Sequence, residues 1–135
     1  MSIRIPAALA NLMLDAGIGS VTNAGKLRVY SGSQPSTGGA AVTTQTKLIE
    51  FTLNANAFPD AAAGILTAAA IAATVALATG TATWFRLLRA DGTTVVLDGA
   101  VGVQGSGAEC IITTTAIESG ETVAVLSLRV IQPLA

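Results

Sequence analysis

Hydrophobic and polar residues alternate in short runs along most of this chain, and only its start keeps the spacing of a helix. There Leu9, Leu12, Met13 and Ala16 recur on one stripe, behind Pro6, which suits a first helical position, and ahead of Gly17, a natural terminator. So short a helix is marginal alone, and its stripe must dock, either on the protein's own sheet or on a neighbouring subunit. Gly17, Gly19, Asn23 and Gly25 then read as a flexible connection. Residues 26–31 (KLRVYS) alternate as a half-buried strand, with Leu27 and Val29 opposite Lys26, Arg28 and Tyr30. Residues 32–44, rich in Gly, Ser, Thr and Gln around Pro35, read as a long exposed loop. Long loops without structure of their own are often functional, so this one is a contact candidate. Residues 47–53 (KLIEFTL) form the next strand, with Ile49, Phe51 and Leu53 on the core face. A loop holding Phe58-Pro59-Asp60 follows, then an extended Ile65-Leu66. Alanine pulls residues 67–77 towards helix while Thr74 and Val75 favour strand, and the surrounding pattern predicts one or two short strands.

The strongest local signal is residues 81–102, TATWFRLLRADGTTVVLDGAVG, where two strand-like runs flank Ala90-Asp91-Gly92. A three-residue loop with Gly92 left-handed sets Arg89 against Thr93, Leu87 against Val95 and Phe85 against Leu97. One face then collects Phe85, Leu87, Val95 and Leu97. The other holds Trp84, Arg86, Leu88, Thr94, Val96 and Asp98, with Arg86 and Asp98 diagonal neighbours. A two-residue Asp91-Gly92 loop divides the apolar residues more evenly and is the poorer register. Neither face is wholly polar, so the hairpin must be covered on both sides. Gly99, Gly102, Gly105 and Gly107 punctuate a loop beyond it, residues 110–115 (CIITTT) form a strand, and residues 118–121 turn. Residues 122–131 (TVAVLSLRVI) make a last strand that Pro133 ends. Roughly seven or eight short strands separated by Gly, Pro and Asp turns predict an all-β antiparallel sandwich, jelly-roll-like, with a short N-terminal helix. Residues 1–25 form the helix or arm and its linker, and residues 26–135 a single β-sandwich domain.

Composition adds association. Only 11% of the 135 residues are charged against 51% hydrophobic, where about 25% charged is usual. Part of that apolar excess belongs against other subunits, which predicts a homo-oligomer. The net charge of -1 gives no footprint for direct nucleic-acid or anionic-membrane binding. Residues 61–85 are uncharged and long enough to span a bilayer, but their alanines contribute little transfer free energy and Gly and Thr interrupt them. Arg4 and the apolar residues after it resemble a secretory leader only superficially, since Asn11 interrupts and Asp15 closely follows a short apolar core and no convincing small-x-small cleavage site comes next. The expectation is an unprocessed, soluble protein with no membrane partner.

Chemistry is sparse. With one cysteine and no histidine there is no internal disulfide, no zinc site of the usual kind and no imidazole catalysis. Cys110 reads as a buried, inert thiol. The carboxylates show no glycosidase-like pair, and Asp91 and Asp98 read as turn formers. Residues 102–107 (GVQGSG) lack the Lys-Ser/Thr of a phosphate loop. Tyr30, Trp84 and Phe85 could make a sugar or base platform; core packing accounts for Phe85 more economically, while Trp84 could anchor an interface. The reading is of a non-enzymatic protein with no catalytic, cofactor-binding or metal residues. Its candidate interface is Leu9, Leu12 and Met13 on the helix, Gln34 and Pro35 in the long loop, and Trp84.

The order of segments, from the Ala-Leu-rich helix through GKLRVYSGSQPSTGG, KLIEFTL, ILTA and TGTATWFRLLRADGTTVVLDGAVG to ESGETVAVLSLRV, resembles small virion proteins of tailed bacteriophages. Within them it is most similar to the capsid cement or decoration class. That resemblance implies a jelly-roll or sandwich fold on the capsid surface, bound across joints of the major capsid protein after synthesis in the host cytoplasm. A tail or baseplate component with a host-recognition role is the alternative it leaves open. The resemblance carries no ligand or catalytic motif.

Overall fold

The structure, a computed structural model, describes residues 6–59, 61–63 and 65–131. Among the described residues a helix α1 (Ala7–Leu14) precedes eleven strands: β1 (Lys26–Tyr30), β2 (Lys47–Thr52), β3 (Ile65–Thr67), β4 (Thr74–Val75), β5 (Gly80–Thr81), β6 (Trp84–Leu88), β7 (Val95–Gly102), β8 (Cys110–Ile112), β9 (Ala116–Ile117), β10 (Thr122–Val123) and β11 (Val125–Ile131). Seven of them form one sheet in the order β2-β1-β6-β7-β8-β11-β3, and β4/β10 and β5/β9 form two short ribbons. The chain is all-β apart from its helical start. Its main sheet is mixed, however, because β7 and β8 run parallel, with Val101 beside Cys110 and Gly102 beside Ile111. That corrects the expectation of a purely antiparallel architecture. Parallel neighbours usually need a crossover of about a dozen residues. Here the shorter link 103–109 suffices because Gly105 and Gly107, at φ 90° and 80°, turn it back sharply. Asp60 and Pro133 lie outside the described residues.

The main sheet curls until its two edges share one core. Leu27 and Val29 from β1, Ile49 and Phe51 from β2, Phe85 and Leu87 from β6, Cys110 and Ile112 from β8, Leu128 from β11 and Leu66 from β3 belong to a single buried cluster. The ribbons close its open side, since Ala76, Ala82, Ile117 and Val123 join the same cluster. Of the ambiguous alanine-rich residues 67–77, Thr67 ends β3 and Thr74–Val75 form β4, and none is helical. Among the described residues no helix is long and apolar enough to cross a membrane.

Bulges account for most departures from simple alternation. In the β6–β7 hairpin Phe85 faces Gly99, Arg86 faces Asp98 and Leu87 faces Leu97, and the register then shifts so that Leu88 faces Val95. The three-residue loop expected from Ala90-Asp91-Gly92 is therefore corrected to a longer one, closed by Arg89 N–H on the Thr94 carbonyl at 3.0 Å. The shift leaves Phe85, Leu87 and Leu97 on the core face as expected but exchanges Val95 and Val96, of which Val96 packs on the core. A second bulge between Val29 and Tyr30 turns Leu48 inward, so Leu48 is buried beside Ile49 rather than opposite it. Gly99 belongs to β7 rather than to a loop, because the Phe85 ring fills the space a Cβ would take.

The helical start also runs further than its glycines suggest. A π-helical turn over Asp15–Gly19 carries the chain past Gly17 to Val21, so Gly17 is no terminator. Thr22 Oγ1 donates to the Ile18 carbonyl at 2.8 Å, which occupies one carbonyl freed at the helix end. The Asp15 carboxylate accepts from the Ala61 N–H at 2.8 Å, and Ile18 packs on the core. Both contacts tie the end of the helical segment to the sheet.

Candidate interaction surface

Before the tie at Asp15 and Ile18, α1 lies beside β3 and turns part of its apolar surface outward. Leu9, Leu12 and Met13 are 45%, 62% and 46% exposed. The stripe read from the sequence is therefore real as a surface, and it does not pack into the protein's own core. Gln34 is exposed on the long loop and Pro35 is half-buried. Trp84 is corrected as an exposed anchor: it is 0% exposed and has no surface to offer a partner in this conformation. The helix enters β1 at Lys26 and the loop leaves it after Tyr30, so the two candidate regions attach at opposite ends of one strand. Sequence reasoning missed Val75, Leu77, Val103 and Leu126, which are also large, apolar and exposed. Leu126 could have been suspected, because the last strand is apolar on both faces and one of them has to face outward.

The loop 32–44 lies against the convex face of the sheet, where a second buried patch sits apart from the core. Tyr30 and Trp84 stack there at 4.5 Å between ring centroids and 14° between planes, with the Arg86 guanidinium carbon 5.4 Å from the indole centroid. Arg86 Nε and Nη2 donate to Asp98 Oδ1 and Oδ2 at 2.8 and 3.0 Å, a bidentate pair. Asp98 is thus an ion-pair partner in the middle of a strand, not a turn former, and it sits directly across from Arg86 rather than diagonally. Arg86 in turn lies opposite Arg28 on β1, which donates to Glu50 Oε1 at 2.7 Å. The result is a row Glu50–Arg28–Arg86–Asp98 across four strands, two cations side by side with an anion at each end. Like charges facing each other across strands are destabilising, so each arginine depends on its own carboxylate. The bond from Asp98 raises the Arg86 pKa above its ordinary value, against the opposing effect of burial. Burial would lower that of Arg28, but Glu50 outweighs it and the net shift is upward. Hydrogen bonding from Arg28 holds Glu50 below the usual carboxylate range.

The other groups read as chemically quiet are structural. Asp91 closes the hairpin, accepting from the N–H groups of Thr93 and Thr94 and from Thr94 Oγ1, which holds its carboxyl well below its ordinary 3.8. Any stability this lends is present above 3.8 and is lost as pH falls below it. Burial, helped by Glu109, pushes the Cys110 thiol up to about 12. Cys110 is expected to resist a disulfide reagent at pH 8 in the folded protein and to react at once in denaturant, as thiol titration would read. Rapid labelling of the native protein would contradict its burial. The thiol's contribution to stability is fully present below its ordinary 9.0 and falls away as pH rises towards 12.

Shallow grooves flank the exposed Arg129, one lined by Gln104, Ala108, Ile111 and Leu126, the other by Pro59, Ile65 and Thr67. Among the described residues no three His, Cys, Asp or Glu side chains come together as a metal site. No protein-family model, curated protein or solved structure matches the chain.

Proposed function

We propose that this chain is a non-enzymatic structural protein of a phage virion, a cement protein that binds the outside of the capsid shell across subunit joints and stabilises it. The observation that carries the reading is the contrast between a closed β body and the uncovered Leu9, Leu12 and Met13 on the helix in front of it. A short helix that leaves large apolar side chains exposed is suited to seating in a groove of a partner. Low charge and the further exposed residues Val75, Leu77 and Leu126 suit contacts to more than one neighbour, including other copies of the chain. Attachment repeated at many symmetry-related sites makes modest single contacts effective. The resemblance of the ordered segments to decoration proteins supplies the capsid as the partner. A jelly-roll-like sandwich belongs to the same reading, with the ribbons β4/β10 and β5/β9 in the place of its second sheet. Co-sedimentation with mature capsid shells freed of tails tests it. Saturable binding in fixed ratio to the major capsid protein is expected. Binding to purified tails alone would replace it with the tail or baseplate role.

A further inference from the structure

The outer loop is held in an unusual way. None of its residues joins the core cluster, and its hold on the sheet is polar. Arg86 Nη2 donates to the Ala40 carbonyl at 2.6 Å, and the Gly39 N–H donates to Asp98 Oδ2 at 3.2 Å. Both grips are on one ion pair. At its base Thr83 Oγ1 donates to the Gly32 carbonyl, and Gln45 Nε2 to that of Ser33 at 2.6 Å. Gly32 and Gly39 sit at φ 85° and 80°, where glycine turns freely. On the same face Trp84 is fully buried, with Tyr30 stacked on its ring and the Arg86 guanidinium that holds Ala40 beside it, and its indole Nε1–H has no acceptor. An unpaired buried donor costs roughly 1–3 kcal/mol, so the closed arrangement carries a penalty that opening removes.

We propose that residues 32–44 are a strap that lifts off the sheet as a unit while the core stays folded, baring Trp84 and freeing its N–H for an acceptor. Segments with few buried apolar contacts open at much lower free energy than the whole domain. The strap also carries Gln34 and Pro35, so its release would present them and the aromatic pair together.

Hydrogen exchange at the chain's only tryptophan reads the opening directly. The Trp84 indole N–H and the Gly39 amide are expected to exchange with matching protection, about ten-fold or more faster than the β6 amides and with little dependence on denaturant. A Cβ on Gly39 would stand 3.8 Å from Val95 Cβ, the usual separation for a disulfide. The oxidised Gly39→Cys/Val95→Cys protein should therefore slow Trp84 exchange to that of the β6 amides, and reduction should restore it. Exchange of Trp84 only through global unfolding would overturn the proposal, as would a lock that leaves its rate unchanged. If the double variant fails to fold, unequal protection of Trp84 and Gly39 in the unaltered protein would overturn it, and equal, denaturant-independent protection would sustain it.

Discussion

Asp98→Ala is expected to lower the unfolding free energy by about 3–5 kcal/mol, the range for removing one partner of a buried ion pair. Arg86 is only 5% exposed, and without Asp98 its charge would face Arg28 across the strands with nothing to offset it. The Gly39 N–H would lose its acceptor as well. Urea unfolding checks this, with a fall in midpoint and an unchanged slope. Replacing the pair together, as Arg86→Met/Asp98→Leu, should recover much of the loss, because the cost comes from the stranded charge rather than from the missing bond. A loss below about 1 kcal/mol in the single variant would mean that Arg86 escapes to solvent.

Gly25→Ala should cost about 3 kcal/mol, the upper part of the usual range for overpacking. An added Cβ would collide with the Leu88 carbonyl oxygen and lie 2.8 Å from that of Thr22. Backbone atoms cannot rotate away as a side-chain tip can. Gly25 also donates to Thr22 O and accepts from Leu53 N–H, each at 2.8 Å, so moving it disturbs the joint between the helical segment and both β1 and β2. Gly17→Ala is the control: nothing lies within 4 Å of its Cβ, and thermal melting should show little change. Equal effects at the two glycines would contradict this account of the joint.

What could be read from the sequence was whatever one strand or one turn decides alone. The alternation of residues 26–30 placed Leu27 and Val29 in the core, and the pattern of residues 47–53 did the same for Ile49, Phe51 and Leu53. What could not be read depended on pairs of distant segments. The bulge that exchanges Val95 and Val96 follows from how β7 meets β6, and no propensity of either valine marks it. The parallel contact of β7 with β8 and the curl that puts Leu66 and Phe51 in one core are likewise set by tertiary packing. For the candidate surface, the helical spacing of Leu9, Leu12 and Met13 identified the stripe, while its exposure is set by how the helix lies beside β3, which no local pattern marks. Trp84 looked available because aromatic residues favour interfaces. The loop 32–44, folding back to Arg86 and Asp98, is what accompanies its complete burial.

On the proposed function, the helix attaches the chain to a shell while the body folds without its help. Leu9→Ser/Leu12→Ser/Met13→Ser, compared with the unaltered protein in shell co-sedimentation and in thermal melting, tests both halves at once. All three side chains are substantially exposed, so stability should change by no more than about 0.5 kcal/mol per site. Shell binding should fall at least about ten-fold, a loss of about 1.4 kcal/mol or more. Full binding by a folded variant would contradict the account.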